Sequence, residues 1–363
     1  MVAEGILILG QGLAGSVLAM RCEAENMPYI VVDDGNRFAS SKIAAGIWNP
    51  LVFRRITTSW MADELIAELD NFYQHAESIL NATFYKPLPF YRIHSSDGEV
   101  RAWKEKQEKP EFSSFLGDAL NMPGPIDQGQ YGASEVHRAG YLDLPAFLAA
   151  CRDYFVKEKA FLETELSHET AVDELLTAFL PKGQKNWIIA DCRGHQSAYS
   201  TWWQYLPFGL TKGELLTIHC PGLDIDGIWN TGFFVFPQGD DRYCLGATFS
   251  WDKPDMEQTE AAKSELIEKF EKRCSLPFTV IDHKAGVRPT VQDRRPLIGK
   301  HPSIDRLWLF NGLGTKGVML APYFSKTLMD SIVRGQGLPT EVDIRRFENH
   351  LGSINPRINH PIA

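Results

Sequence analysis

Nothing in the 363 residues marks a metalloprotein or a disulfide-built secreted domain. No Cys-x-x-Cys pair occurs, and none of Cys22, Cys151, Cys192, Cys220, Cys244 and Cys274 stands at ligand spacing to a histidine. Reduced, mostly buried thiols are expected, and no metal. His195, His219, His283 and His301 are scattered and read as structural. No Ser/His/Asp arrangement or paired-carboxylate signature stands out. Long apolar runs are absent, so no membrane partner is expected. Positive charge is also scarce: the formal net charge of −9 argues against a general nucleic-acid binder. The local basic group Arg101, Lys104, Lys106 and Lys109 reads as a solvated helix face. The first apolar run starts at Gly5, which leaves no room for a signal peptide, and a cytoplasmic location is expected. With 44% hydrophobic and 23% charged residues and no repeats, the chain fits a globular protein of about two domains.

What is present is concentrated at the start. Gly10, Gly12 and Gly15 follow the apolar run Ile6-Leu7-Ile8-Leu9, and a second run, Tyr29 to Val32, ends at Asp33, 23 residues beyond Gly10. The pattern predicts strand, helix (Ala14 to about Glu25), strand. Gly10 allows the tight turn, Gly12 a close approach of backbone to a pyrophosphate, and Gly15 the packing of helix on strand. Leu13 and Ala14 open the helix, whose free N–H groups suit phosphate. Asp33, with Asp34 beside it, is placed to accept hydrogen bonds from an adenosine ribose. A dinucleotide site is expected.

Further along, helical spacing of Leu65, Ile66, Leu69, Phe72, Tyr73 and Ala76 predicts a helix within 59–80. A strand is expected in 84–94, a helix from Pro145 to Phe155, and a buried strand Trp187–Asp191 ending near Gly194. Strands are expected at Glu214–His219, Gly232–Pro237 and Tyr243–Phe249, then a helix within 256–274. Last come a strand Leu307–Asn311, a glycine-rich turn, and a helix from about 321 to 334. Strand, glycine turn and helix thus recur at both ends around a β-rich block. The expected fold is α/β (α+β overall): a Rossmann-like parallel-sheet domain interrupted by a second domain on a mixed or antiparallel sheet. The division is 1–55, 140–210 and 283–350 for the nucleotide domain, 56–139 and 211–282 for the substrate domain, and 351–363 as an extended tail.

Six segments occur in order: Gly-Gln-Gly-Leu-Ala-Gly (10–15), Ser-Ser-Lys-Ile-Ala-Ala-Gly (40–46), Gly-Tyr-Leu-Asp-Leu-Pro-Ala-Phe-Leu (140–148), Gly-Ala-Thr-Phe (246–249), Ala-Gly-Val-Arg-Pro-Thr-Val-Gln-Asp-Arg-Arg-Pro-Leu-Ile-Gly (285–299) and Gly-Leu-Gly-Thr-Lys-Gly-Val-Met-Leu-Ala-Pro (312–322). Together they make the chain resemble the FAD-dependent D-amino-acid oxidase superfamily, which includes glycine and sarcosine oxidases. The resemblance implies FAD as cofactor. Ser41, Ala44, Ala45 and Gly46 would pass close to the pyrophosphate and the isoalloxazine ring, with Gly194 at the end of the middle strand. Gly312, Gly314, Thr315 and Gly317 would offer main-chain N–H groups to the N1–C2 edge, and Lys316 would favour its reduction. Arg288 would grip a substrate carboxylate. Trp48, Phe234 and Phe236 would roof a dry pocket, while Asp293, Arg294 and Arg295 would work structurally or touch the cofactor through backbone.

The chain departs from the amino-acid oxidases in three places. Where they add a tyrosine to the arginine, this strand reads Gly-Phe-Phe-Val-Phe-Pro (232–237). The oxygen-activating lysine is replaced in Arg-Tyr-Cys-Leu-Gly (242–246), and Leu313 stands in place of histidine. Gly194-His195-Gln196 and Leu313-Gly314-Thr315-Lys316-Gly317 are more similar to the FAD domain of the bifunctional enzyme that modifies the tRNA wobble uridine. The expected activity is FAD-dependent oxidation of the C–N bond of a small amine or amino acid, with hydride transfer to flavin N5 and oxygen or another electron acceptor. The alternatives are oxidation of a carboxymethylaminomethyl group on tRNA, the one reading that requires a nucleic-acid partner, and a flavin-binding module without turnover.

Overall fold

A computed structural model describes residues 3–35, 39–120, 124–166, 170–180, 184 and 186–356. The end of the expected tail, 357–363, lies outside the described residues.

Two large sheets organise the chain. The first has the order Phe161–Glu163, Tyr29–Asp33, Gly5–Leu9, Trp187–Asp191, Leu307–Asn311, Leu297–Lys300, parallel except for the last strand. Ile6, Leu7, Ile8 and Leu9 are fully buried, because helices or loops cover both faces of a parallel sheet. Each such side chain contributes about 1.5–3 kcal/mol of burial energy. The apolar core on one face is built by the helices Leu13–Ala24, Ala62–Leu80, Leu144–Lys157 and Gly317–Arg334. Trp203, Phe208 and Leu309 pack into a separate cluster with Leu7 and Leu9.

The second sheet runs Thr279–Arg288, Thr211–His219, Arg242–Gly246, Phe234–Gly239, Ile228–Asn230, Phe90–Ile93, Ala133–Val136, Leu116–Leu120. It is antiparallel apart from the pair Ile228–Asn230 with Phe90–Ile93. The expected border at 282/283 falls inside the strand Thr279–Arg288, which carries the chain unbroken from the second sheet toward the first. That strand pairs along its length with Thr211–His219, so cutting it there would leave ladder hydrogen bonds open.

Several expected elements shift for identifiable reasons. The single strand foreseen in 84–94 is two, Tyr85–Pro87 and Phe90–Ile93, in different sheets, because Pro87 and Pro89 cannot donate to a continuous ladder. The strand expected to reach Phe249 stops at Gly246. The last helix begins at Gly317, not near 321, and contains Pro322. Proline removes the N–H that would bond the Val318 carbonyl; the buried Tyr73 hydroxyl donates to that carbonyl instead, at 3.2 Å. The basic group 101–109 is solvated as expected: Arg101 pairs with Asp97, Lys109 with Glu105, and the Lys106 ammonium donates to the carbonyls of Arg55 and Ile56.

The position of the opening helix depends on Gly15. A Cβ there would stand 1.9 Å from the Gly10 carbonyl oxygen and 3.3 Å from Ile8, so the helix can lie on the turn only without a side chain. Gly15→Ala is expected to lower stability by about 1–3 kcal/mol, the usual cost of overpacking. The check is the urea midpoint: it should fall at unchanged m.

Candidate active site

The carboxyl ends of the parallel strands open into a cavity of about 370 Å³. It lies where the strand order reverses about Gly5–Leu9, the place where sheets of this type receive ligands. Gly10 and Gly12, Asp33 and Asp34, Gly194, and Leu313 to Thr315 all reach it from the ends of four neighbouring strands. The second sheet closes the far side with Gly213, Leu215, Phe234, Gly286 and Arg288, together with Ala247, Thr248 and Phe249 just past the end of the strand Arg242–Gly246.

At one end, Gly12 is the N-cap of the helix Leu13–Ala24 and has no side chain to cap it. Leu13 N–H donates to Ser41 Oγ at 3.0 Å, which fixes the short helix Ser40–Ile43 against the glycine turn. A Cβ on Gly12 would approach that same oxygen to 3.3 Å. The remaining first-turn N–H groups and the helix dipole form a place for an anion such as a pyrophosphate. Asp33 is more engaged than its sequence position suggests. It accepts from Gln11 N–H at 2.7 Å, Gly35 N–H at 2.9 Å and Arg152 Nη2 at 3.0 Å. Arg152, which sequence reasoning missed, also donates to Gln11 Oε1 at 3.0 Å and stacks 4.6 Å from the Phe161 ring. This cradle fits a dinucleotide: backbone donors face the phosphate position, and a fixed carboxylate lies beside the ribose position.

In the middle, Asn311 ties two strand ends together. Its amide donates to the Gly194 carbonyl at 2.8 Å and Ser197 Oγ at 2.9 Å, and its oxygen accepts Gly312 N–H at 2.8 Å. Gly312 therefore does not offer its N–H to a cofactor as expected; it is structural, held by its own neighbour. An asparagine ending a strand before a glycine turn is the signal that would have found this brace. Beneath it, Asp191 is fully buried. Burial alone pushes its carboxyl pKa up, but the Arg193 guanidinium, Ser197 hydroxyl and backbone contacts hold it below the usual value.

At the other end, Arg288 ends the long edge strand and lines the cavity. Its guanidinium donates to the Lys212 carbonyl at 3.0 Å and the Thr248 carbonyl at 3.4 Å, and lies 5.6 Å from the Phe249 ring centre. Among the described residues it has no carboxylate partner; Asp293 pairs with Arg346 at 3.1 Å. Burial draws its pKa below the usual arginine value, yet the group stays charged at neutral pH. Gly213 makes the arrangement possible, because a Cβ there would meet the guanidinium at 1.9 Å.

Of the expected site residues, Ala14, Ala44, Ala45, Gly46, Thr315, Gly317 and Phe234 line the cavity together with those already placed. Three do not. Trp48 is 2% exposed and stacks on Tyr85 at 4.8 Å, and Phe236 is fully buried against Tyr141 at 4.8 Å; both are core. Alternation explains Phe236: it faces the same side of its strand as Phe234 but lies deeper. Lys316 turns away from the cavity. Its ammonium donates to the carbonyls of Asn49 and Leu51, each at 3.3 Å, and to Ser59 Oγ. Gly15, as described, packs the helix. Of the residues that sequence reasoning missed, Gly213 and Leu215 carry no motif of their own and reach the site through sheet pairing, while Thr248 and Phe249 belong to the segment 246–249, for which the sequence implies no site role.

Lys316 is buried with neutral partners, and desolvation lowers its pKa from 10.5 to about 8. Between those values the unfolded chain holds a proton at Lys316 that the folded protein has released, so the contribution of this group to stability rises with pH across that window, against the opposite contribution of buried thiols such as Cys22 and Cys192. Lys316→Met is expected to remove that contribution, so that going from pH 7.5 to pH 10 changes its urea stability less favourably than that of the unsubstituted protein.

Comparison with known proteins agrees with the geometry. The family model described as "DAO: FAD dependent oxidoreductase" matches residues 5–331. Glycine oxidase of Pseudomonas aeruginosa is 28% identical over 355 residues, 91% of this chain and 94% of that one. The tRNA 5-methylaminomethyl-2-thiouridine biosynthesis bifunctional protein of Methylibium petroleiphilum is 26% identical over 194 residues, 45% of this chain and 27% of that one. The crystal structure of glycine oxidase from Geobacillus kaustophilus superimposes with a TM-score of 0.73 at 16% identity, covering 99% of this chain and all of that one. The chain belongs to the DAO family of FAD-dependent oxidoreductases.

Proposed function

We propose that the protein oxidises the C–N bond of a small amine that carries a carboxylate. FAD supplies the two-electron acceptor: the carbon next to nitrogen gives up a hydride, and the resulting imine is hydrolysed by water to a carbonyl compound and a free amine or ammonia. The first-turn N–H groups after Gly12, with Ser41, would hold the pyrophosphate, and Asp33 the ribose. Gly314, Thr315 and Gly317 would lie along the ring edge.

The chain's own part is orientation and exclusion of water. Arg288 presents donors to a carboxylate and so fixes which carbon faces the cofactor. Among the described residues the carboxylates lining the cavity are Asp33 and Asp34, both at the ribose end. Among the described residues no carboxylate base therefore lies beside Arg288; His195 also lines the cavity. Leu215, Phe234 and Ile47 keep the reacting end apolar.

The observation that carries this reading is the Arg288 guanidinium, half-buried, charged and, among the described residues, hydrogen-bonded to two backbone carbonyls and to no carboxylate. A buried cation without a counter-ion is costly, and an incoming carboxylate supplies one. With phenylalanine in place of the expected tyrosine, Arg288 does this without a phenol.

The test is anaerobic bleaching of the flavin absorbance by amino acids, N-methyl amino acids and tRNA. The tRNA arm separates a free amine from a carboxymethylaminomethyl group on a wobble uridine, and admitting air shows whether oxygen re-oxidises the flavin. Arg288→Ala should weaken the productive amine's apparent affinity about 10- to 100-fold with FAD still bound. Unchanged affinity would refute the carboxylate role.

A further inference from the structure

Around Arg288 the cavity wall is apolar on the side of the second sheet, while Ser40 and His195 line the cavity on the other side. Leu215 and Phe234 face it from the second sheet, and Phe249 stands at its mouth. Among the described residues only two large aromatic rings are exposed to the same extent as Phe249, which is 52% exposed: Phe249 itself and Trp251, also 52% exposed. They touch each other edge to face, with centres 5.3 Å apart. Leaving two such rings open to water is unfavourable unless something covers them.

This aromatic pair is held in place on both sides. Thr248 Oγ1 accepts Glu214 N–H at 2.9 Å on the near side. On the far side Ser250 and Lys212 exchange backbone hydrogen bonds at 2.9 and 3.0 Å. The buried Lys212 ammonium then reaches Asp255 at 2.7 Å. Phe249 is thus pinned between two anchored neighbours, with its ring over the guanidinium.

Resting on the reading of Arg288 as the carboxylate anchor, we propose that Phe249, backed by Trp251 and faced by Leu215 and Phe234, forms a side-chain subsite. It selects substrates with an apolar, above all aromatic, group beside the carboxylate and rejects those with a second charge. Arg288 neutralises one carboxylate. A second charge would be buried against Leu215 and Phe234 with no partner, whereas an aromatic group gains burial and ring contact. The structure therefore disfavours both glycine, which leaves the subsite empty, and acidic or basic amino acids.

The experiment uses the FAD-loaded protein and unreactive acids, read by perturbation of the flavin absorbance. Phenylacetate is expected to bind at least about tenfold tighter than acetate, and succinate no tighter than acetate. In Phe249→Ala the phenylacetate-to-acetate ratio should fall to within about threefold, whichever way acetate itself moves. Trp251→Ala, further from the cavity, should lower the ratio by a smaller factor and serves if the first variant loses FAD. Equal binding of acetate and phenylacetate, tightest binding of succinate, or a ratio that survives both substitutions would overturn the subsite. Protein that ranks these acids as expected but is bleached by no amine keeps the subsite and loses the proposed reaction. Protein bleached by amines regardless of side chain does the reverse.

Discussion

The cavity exists because a helix lies directly on the turn that precedes it. With hydrogen in place of a side chain at Gly15, the helix Leu13–Ala24 descends onto the Gly10 carbonyl, and its N-terminus comes level with the ends of four parallel strands. Every other part of the site is measured from that contact. Ser41 is placed by its bond to Leu13 N–H, Asp33 by its bond to Gln11 N–H, and Asn311 braces the glycine turn that arrives from the other end of the chain.

Charge is distributed along the cavity in a way that separates cofactor from substrate. At the nucleotide end the charged side chains are already satisfied: Asp33 by Arg152, and Asp191 by Arg193. Lys316 is satisfied differently, by neutral oxygens from Asn49, Leu51 and Ser59, and braces that loop against the last helix. Among the described residues, Arg288 at the substrate end has no carboxylate partner for its positive charge. The arginine's isolation is a product of the sheet: it ends an edge strand opposite Thr211, its guanidinium lies over Gly213, and among the described residues its hydrogen bonds go to the backbone carbonyls of Lys212 and Thr248. The segment that follows Arg242–Gly246 brings Phe249 over it, held by the bridge between Ser250 and Lys212.

Much of the cofactor end was legible in the sequence. Gly10, Gly12, Asp33, Ser41, Ala44 to Gly46, Gly314 and Gly317 lie on the cavity because each belongs to a short motif whose local geometry nearly determines its place. The aromatic residues were not legible. Trp48, Phe234 and Phe236 look alike as letters, and only Phe234 reaches the cavity; how deep each residue lies depends on the neighbouring sheet. The N–H of Gly312 and the ammonium of Lys316 were misdirected for a related reason. Each sits in a motif that points toward the cofactor, but another group accepts its hydrogen bonds: for Gly312 the side chain of the preceding Asn311, turned by Gly194 and Ser197, and for Lys316 the distant Asn49–Leu51 segment. Pro322 misplaced the start of the last helix because its rescue by Tyr73 comes from about 250 positions away.

By itself, then, the sequence determined the elements whose signal is local: the βαβ unit, the periodic helices, the glycine turns and the presence of a dinucleotide cradle. These follow from backbone preference and from side-chain spacing within a dozen residues. Tertiary structure alone decided which arginine would stay unpaired, which phenylalanine would face it, and which lysine would turn away. Each of those outcomes is a contact between residues distant in the chain, and hydrogen-bond and van der Waals forces act only once folding has brought the groups within a few ångströms.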